Sequence, residues 1–128
     1  MVFIYGGAYQ GKLDYAREAF KLKEGDIYAY AADDGAAERV PEQKCLCGFH
    51  LFVLSQIRAG CDPLAFIIKN KGAFKDKIVV ADDISCGVVP MGAINREWRE
   101  AAGRCAAFLS QNADEVWRVF CGIPTRIK

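Results

Sequence analysis

The feature that most constrains the fold of this chain is a glycine-rich segment between a short apolar run and an amphipathic run. Residues 2–5, Val-Phe-Ile-Tyr, predict a buried strand because they are continuous, β-branched and aromatic. After the glycines the spacing becomes helical, with Leu13, Ala16 and Phe20 on one face. Gly25 is the predicted stop of this helix. A strand, a glycine turn and a helix in this order predict an α/β unit.

The glycine-rich segment itself, residues 6–13, has the sequence Gly-Gly-Ala-Tyr-Gln-Gly-Lys-Leu. It fits the pattern G-x-x-x-x-G-K-[ST] at every fixed position except the last. In such a loop, backbone N–H groups surround phosphate oxygens at the positive end of a helix, and the lysine reaches the terminal phosphates. The alternative is an ordinary tight turn. We predict a nucleotide site formed by Gly6, Gly7, Ala8, Tyr9, Gln10, Gly11, Lys12 and Leu13.

The last position of the loop affects whether Mg²⁺ can bind with the nucleotide. A serine or threonine there would contact Mg²⁺, whereas Leu13 has no oxygen to offer. The predicted ligand is therefore GTP or ATP, and the pattern puts Mg²⁺ in doubt.

The rest of the chain alternates between strand-like and helix-like segments. This alternation predicts one α/β domain over residues 1–128, of the three-layer P-loop NTPase-like type, with a mainly parallel sheet and helices on both faces. A turn is expected at 122–124, and a loop at 32–43. The predicted strands are 26–31, 77–81, 115–121 and 125–128, and the predicted helices are 46–59, 62–71 and 91–110.

An acidic pair, Asp82 and Asp83, follows the predicted strand 77–81. Right-handed crossovers would place this pair and the glycine loop at the same carboxyl edge of the sheet, where open sheets bind ligands. A carboxylate there can hold Mg²⁺ or orient an attacking hydroxyl. We predict Lys12 and Asp83 as catalytic residues, and Asp82 and Asp83 as metal ligands. The alternative is a helix cap or a solvated turn.

Charge and hydropathy narrow the classes of partner. The chain has 17 basic and 16 acidic residues, with no basic block, so we expect no nucleic-acid partner. No apolar run approaches the roughly 18 residues of a membrane helix, so we expect no membrane and a cytoplasmic location.

Cysteine and histidine give weaker signals. Cys45 and Cys47 are too isolated to suggest zinc, and reduced thiols are the better interpretation. Cys105 and Cys121 lie in apolar patterns and are predicted to be buried. The single histidine, His50, is surrounded by apolar residues and is predicted to be a core or rim residue rather than a catalyst.

Four segments together resemble one family. Residues 6–12 fit its loop G-G-x-x-x-G-K-S, and residues 82–90 are similar to its segment N-E-V-G-x-G-I-V-P. Arg96, Arg99, Gly103 and Arg104 follow its R-x-x-R-x-x-x-G-R helix, and residues 113–124 follow its ending A-D-E-V-x-x-V-x-x-G-I-P. The chain resembles the adenosylcobinamide kinase/adenosylcobinamide-phosphate guanylyltransferase family, whose bifunctional enzymes assemble the nucleotide loop of cobalamin.

The resemblance implies nucleotide-dependent phosphorylation of a corrinoid hydroxyl and a homo-oligomer, with a trimer as the family's form. The chain also departs from the family pattern. The segment that carries the family's GMP-accepting histidine is reduced to residues 32–43, without a histidine, which makes guanylyl transfer doubtful. The family's middle strand has an aspartate before Cys-Leu-Thr, and Lys44 stands there if Cys45 begins the corresponding segment.

Three functions remain open from the sequence. The first is a small cobinamide kinase-type phosphotransferase. The second is a catalytically degenerate relative that binds a nucleotide or a corrinoid. The third is an oligomeric structural module that keeps only the fold, with Trp98, Trp117 and Phe120 as candidates for the contact.

Overall fold

The computed structural model describes residues 1–84 and 92–128, and only the backbone of Ala93. The helix start predicted at Met91 and part of the family-like segment 82–90 lie outside the described residues.

The described strands form one sheet that is parallel except at one edge. β1 lies between β4 and β5, and β6 runs antiparallel to β5, so the order is β2-β3-β4-β1-β5-β6. The predicted mainly parallel sheet is confirmed. The strands are β1 (Val2–Gly6), β2 (Ile27–Ala29), β3 (Cys45–Cys47), β4 (Ile78–Asp82), β5 (Glu115–Phe120) and β6 (Ile123–Arg126).

Helices cover both faces of this sheet, as predicted. Side chains of a strand alternate between the two faces, so Phe3 and Val79 face one layer while Ile4 and Val80 face the other. The first layer contains α2–α5, and the second contains α1. The helices are α1 (Lys12–Phe20), α2 (Phe49–Arg58), α3 (Pro63–Lys69), α4 (Lys71–Phe74) and α5 (Ala93–Asn112).

The middle of the chain departs from the predicted boundaries. The apolar run that predicted a helix from residue 46 begins with β3, and α2 starts only after Gly48, whose φ is 73°. A three-residue strand is too short to show its own period, so the sequence merged it with the helix. The predicted strand 26–31 is shorter than expected, and the helix predicted at 62–71 is divided into α3 and α4.

Three local predictions are wrong. Helix α1 ends at Phe20 and is capped by Lys21, whose φ is 52°, so Gly25 is not its stop but lies in a later 3₁₀ turn. The β5–β6 turn is formed by Cys121 and Gly122, with φ values of 49° and 76°, so Ile123 belongs to β6 and not to the turn. Two-residue hairpin turns favour such positive φ values. Cys121 is therefore exposed at a turn, whereas Cys105 is buried as predicted.

Among the described residues, no single helix has both the length and the apolar character to cross a membrane. The α2 and α3 helices satisfy that test only when taken together, and they are bent by 115° at their junction.

Candidate functional site

The glycine loop leaves the carboxyl end of β1 and enters α1 at Lys12. Gly11 caps this helix with a φ of 89°, a left-handed conformation that glycine adopts without a Cβ penalty. The Lys12 side chain is only 6% exposed. Its Nζ donates a hydrogen bond to the Gly7 carbonyl at 2.5 Å and lies 2.7 Å from Asp82 Oδ1. The ammonium group is therefore held inside the loop, at the start of a helix.

The neighbouring β5–β6 hairpin fixes the course of the loop. At Gly6, an added Cβ would lie 2.4 Å from the Val119 carbonyl oxygen, so only glycine allows this close approach. Gln10 is tied to the hairpin turn twice: its Oε1 accepts from the Cys121 N–H at 2.6 Å, and its carbonyl accepts from the Gly122 N–H at 2.8 Å. The shape of the loop thus depends on a segment more than a hundred residues away in the chain.

The acidic pair is divided between the two faces of the sheet. Asp82 ends β4 opposite Gly6 and points to the α1 side, where it contacts Lys12. Asp83 lies one residue further along, and its Oδ1 accepts a hydrogen bond from the Tyr5 hydroxyl at 3.1 Å. Its main-chain N–H donates to the Gly6 carbonyl at 2.7 Å. Adjacent residues of an extended chain point in opposite directions, so the two carboxylates do not share one position.

His50 reaches the same site from the first turn of α2. Its Nδ1 accepts a hydrogen bond from the Asp82 N–H at 3.0 Å, and its Nε2 lies 3.5 Å from Asp82 Oδ2. Burial lowers the pKa of His50, and Lys12 acts in the same direction against the opposing effect of Asp82. The sequence placed His50 in the core or at its rim. The structure places its imidazole, which is 13% exposed, beside Lys12 and Asp82.

These groups line one cavity of about 440 Å³ at the carboxyl edge of the sheet. One wall is the glycine loop from Ala8 onward, and the other combines the ends of β3 and β4 with the start of α2. Cys47, Gly48, His50, Val80 and Asp82 form this second wall.

The structure places Lys44 away from the cavity. Lys44 precedes β3 at its amino end, which is the edge opposite the loop. The residue at the carboxyl end of β3 is Cys47, and burial raises the pKa of its thiol. At the end of β3, the residue that lines the cavity is therefore a neutral thiol and not Lys44.

The donor set fits a phosphate better than a free metal ion. The loop offers backbone N–H groups and Lys12, and two carboxylates line the cavity with them: Asp82 beside Lys12, and the exposed Asp14 in the first turn of α1. Among the described residues, no group of three or more His, Cys, Asp or Glu side chains is arranged to hold a metal. Mg²⁺ usually keeps water and binds through one or two carboxylates plus substrate phosphates. The site therefore suits Mg²⁺ only as a companion of a bound nucleotide.

Comparison with known proteins identifies the lineage. A family model described as "Cobinamide kinase / cobinamide phosphate guanyltransferase" matches residues 51–127, which is more than half of the chain. The chain belongs to this family. The family predicted from the sequence motifs is thereby confirmed, and the sheet and its helices have the α/β arrangement expected of a P-loop NTPase-like member.

Two curated relatives match a shorter stretch. The bifunctional adenosylcobalamin biosynthesis protein CobU of Salmonella typhimurium is 39% identical to this chain over 51 residues. Its counterpart of the same name in Escherichia coli is 37% identical over 51 residues. Each match covers 40% of this chain and 28% of the relative. The family match begins at residue 51, so the glycine loop and His50 lie outside it.

The sequence did not place His50 at the cavity because it missed β3. Once Cys45–Cys47 is recognised as a parallel strand, the residues that follow it must lie at the carboxyl edge of the sheet. The available signal was the Gly48 after the strand, which separates it from the helix that carries His50.

Proposed function

We propose that this chain binds GTP or ATP in the loop Gly6–Leu13 and transfers the terminal phosphoryl group to a hydroxyl of a cobinamide-type corrinoid. The observation that carries the proposal is the buried Lys12 ammonium, 2.7 Å from Asp82 at the ends of two adjacent strands. Membership of the cobinamide kinase/cobinamide phosphate guanyltransferase family supports the choice of substrates.

In this proposal the loop performs the binding. Backbone N–H groups at the start of α1 surround the phosphates, and Lys12 turns from Gly7 and Asp82 toward them. Lys12 then neutralises charge that develops on the transferred group. A positively charged group that is already buried at the site requires little reorganisation when the reaction occurs.

Asp82 is the better candidate for the acidic role that the sequence gave to Asp83. Asp82 lines the cavity with Lys12, whereas Asp83 accepts a hydrogen bond from Tyr5 on the other side of β4. In one role, Asp82 would hold the Mg²⁺ that accompanies the nucleotide, and the Mg²⁺ would neutralise further charge. In the other, Asp82 would accept the proton of the attacking hydroxyl.

The geometry favours phosphoryl transfer over guanylyl transfer. A histidine that accepts GMP needs a ring nitrogen directed at the nucleotide. In His50, Nδ1 accepts from the Asp82 main chain and Nε2 is directed at the Asp82 carboxylate. We therefore do not assign the family's nucleophile to His50.

Calorimetric titration of GTP and of ATP, each with Mg²⁺, tests the proposal. The wild-type chain should bind one of them, and Lys12→Ala should abolish that binding. Lys69→Ala removes an exposed lysine from α3, away from the cavity, and is the matched control for loss of charge. If the wild-type chain binds neither nucleotide, the proposal is wrong.

A degenerate relative is the second candidate, and Leu13 favours it. The leucine side chain packs against the apolar layer beneath α1 and brings no oxygen to the cavity. A single-turnover assay with γ-labelled nucleotide and cobinamide separates the two candidates. Transfer of the label to cobinamide by the wild type but not by Lys12→Ala would rule out a catalytically degenerate relative.

A further inference from the structure

His50 contacts Asp82 through both of its ring nitrogens. Its Nδ1 accepts the Asp82 N–H at 3.0 Å, which fixes the main chain at the end of β4. Its Nε2 lies 3.5 Å from Asp82 Oδ2, longer than a good hydrogen bond, while Oδ1 of the same carboxylate lies 2.7 Å from Lys12 Nζ. The carboxylate therefore sits between two nitrogen groups and is bound more closely by the lysine.

The hydrogen-bond pattern determines the tautomer of the ring. A nitrogen that accepts a backbone N–H carries no proton, so a neutral His50 carries its proton on Nε2, facing Asp82. Burial keeps the neutral form favoured by lowering the pKa of the imidazole. An N–H donor thus points at the Asp82 carboxylate.

Trp98 of α5 holds His50 in this orientation. Its Nε1 donates to the His50 carbonyl oxygen at 2.7 Å, and the two rings stack with centroids 6.5 Å apart. Trp98 therefore restrains His50 both at its main chain and at one face of its ring. Asp82 lies at the edge of the ring that carries the nitrogens.

We propose that His50 is a positioning residue for Asp82: it fixes the Asp82 main chain, and its Nε2–H becomes the partner of the carboxylate when a bound phosphate draws Lys12 away. Without such a partner, the half-buried carboxylate would lose its close cation and could rotate out of the cavity. With it, Asp82 stays beside the phosphate loop. This inference rests on the nucleotide site proposed above.

The first test observes the ring directly. His50 is the only histidine of the chain, so its imidazole signals in long-range ¹H–¹⁵N spectra need no assignment. We expect the neutral tautomer with the proton on Nε2. In Lys12→Ala, without nucleotide, the Nε2–H proton should move downfield because the carboxylate turns to the histidine. Lys12→Ala combined with Asp82→Asn should remove that shift, whereas Lys12→Ala combined with Asp83→Asn should keep it.

The ring spectra of Lys12→Ala do not depend on nucleotide binding. They therefore test the His50–Asp82 partnership separately from the proposed function. If the wild type binds no nucleotide but Lys12→Ala gives the shift, the proposed function fails and the His50–Asp82 partnership stands. A proton on Nδ1, or no response to Lys12→Ala, overturns the partnership whether or not nucleotide binds. In a wild type that binds nucleotide, saturation should move the same proton in the same direction as Lys12→Ala does.

The second test concerns turnover. His50→Phe keeps a ring against Trp98 and removes both nitrogens, while His50→Gln keeps an N–H donor near the position of Nε2. Loss of a residue that orients a metal-binding group typically lowers activity by about 10- to 100-fold, and Asp82 is such a group in the proposed site. We expect a loss of that size in kcat for His50→Phe, little change in the nucleotide KM, and partial recovery in His50→Gln.

A purely structural histidine would behave differently. Replacing such a histidine by phenylalanine would lower the melting temperature without lowering kcat at an unchanged KM. His50→Gln would then not recover kcat relative to His50→Phe. Wild-type kcat in a folded His50→Phe would overturn the proposal. If His50→Phe does not fold, the comparison of His50→Gln with the wild type and the ring spectra of Lys12→Ala still decide the question.

Discussion

At the residue scale, Leu13 shows how one substitution changes a binding motif without disturbing its frame. The loop keeps its glycines and Lys12, and Leu13 adds apolar contact to the layer beneath α1. Half-burial of a leucine stabilises the fold by about 1 kcal/mol. A serine there would give up that contact and provide an oxygen ligand. In the nucleotide site proposed above, Leu13 therefore provides packing where a serine would provide a metal ligand, beside Lys12.

Leu13→Ser should restore a metal response. We expect nucleotide affinity in this variant to rise several-fold when Mg²⁺ replaces EDTA, with a smaller rise in the wild type, because the hydroxyl supplies a ligand. Calorimetric titration in both buffers measures the change. Leu22→Ser, which removes a leucine from the same apolar layer outside the cavity, is the control for lost packing. An equal Mg²⁺ response in Leu13→Ser and Leu22→Ser would contradict this view of Leu13.

His50 also predicts how stability depends on pH. Burial lowers its pKa in the folded state, so the unfolded chain takes up a proton first as the pH falls. The stability that neutral His50 contributes is therefore present above its unfolded pKa, near 6.5, and is lost progressively below it. Urea unfolding at pH 7.5 and 5.5 in EDTA should show a larger loss for the wild type than for His50→Gln. Equal losses would contradict the burial of a neutral imidazole.

At the scale of elements, the glycine loop is shaped by its neighbours in the sheet. Gly6 approaches the β5 main chain, and Gln10 is bonded to the turn between β5 and β6. Likewise, β3 delivers α2 to the carboxyl edge and so brings His50 to Asp82. The site is a junction of three segments, and its geometry depends on how closely the strands lie together.

Gly6→Ala tests the close approach between β1 and β5. The added Cβ would meet the Val119 carbonyl oxygen at 2.4 Å, so the strands must separate. We expect a loss of about 3 kcal/mol in the free energy of unfolding, since overpacking against a backbone atom relaxes poorly. Urea denaturation measures it.

Gly103→Ala is the matched control, because its new Cβ in α5 would meet nothing within 4 Å. In an exposed helical position, alanine should raise the free energy of unfolding by about 0.5–1 kcal/mol. The two glycines are therefore expected to give effects of opposite sign. A stabilising Gly6→Ala would show that the loop does not need this approach of the strands.

At the scale of the whole molecule, the β5–β6 hairpin presents an exposed apolar surface. Phe120 and Ile123 form a directly opposed pair on one face and are 62% and 66% exposed. Trp98 and Trp117, the other aromatic residues considered for an oligomer contact, are half-buried and make hydrogen bonds within the chain. The hairpin pair therefore offers more free apolar surface than either tryptophan.

The family resemblance predicts a homo-oligomer, with a trimer as the expected form, and the hairpin pair is our candidate contact with a second copy. Light scattering after size exclusion should give a mass above that of the 14.1 kDa chain. Phe120→Ser combined with Ile123→Ser should shift the mass toward the monomer, because the buried apolar area is lost. Ile68→Ser, at an exposed residue of α3, is the control. A wild-type monomer at high concentration would exclude self-association.

Much of the fold was predictable because its signals are local. The apolar run 2–5, the capping Asp62 before Pro63 and the buried run 78–80 each specify an element by their own residue types. The Asp62 carboxylate accepts from the N–H groups of Leu64 and Ala65, as the predicted N-cap should. By contrast, β3 lies in a continuous apolar run, so the sequence did not separate it from the helix that follows. Cys121 has the residue type of a buried strand position, and only the location of the turn shows that it is exposed.

The sequence alone determined the strand, loop and helix that place Lys12, the α/β class, and the family, because each rests on a contiguous pattern of residue types. Only the tertiary structure decided that Asp82 rather than Asp83 contacts Lys12, and that His50 joins them. Those contacts depend on the register between β1 and β4 and on the exit of α2 from β3. A register between strands more than seventy residues apart is set by the packing of the whole sheet, and no local pattern encodes it.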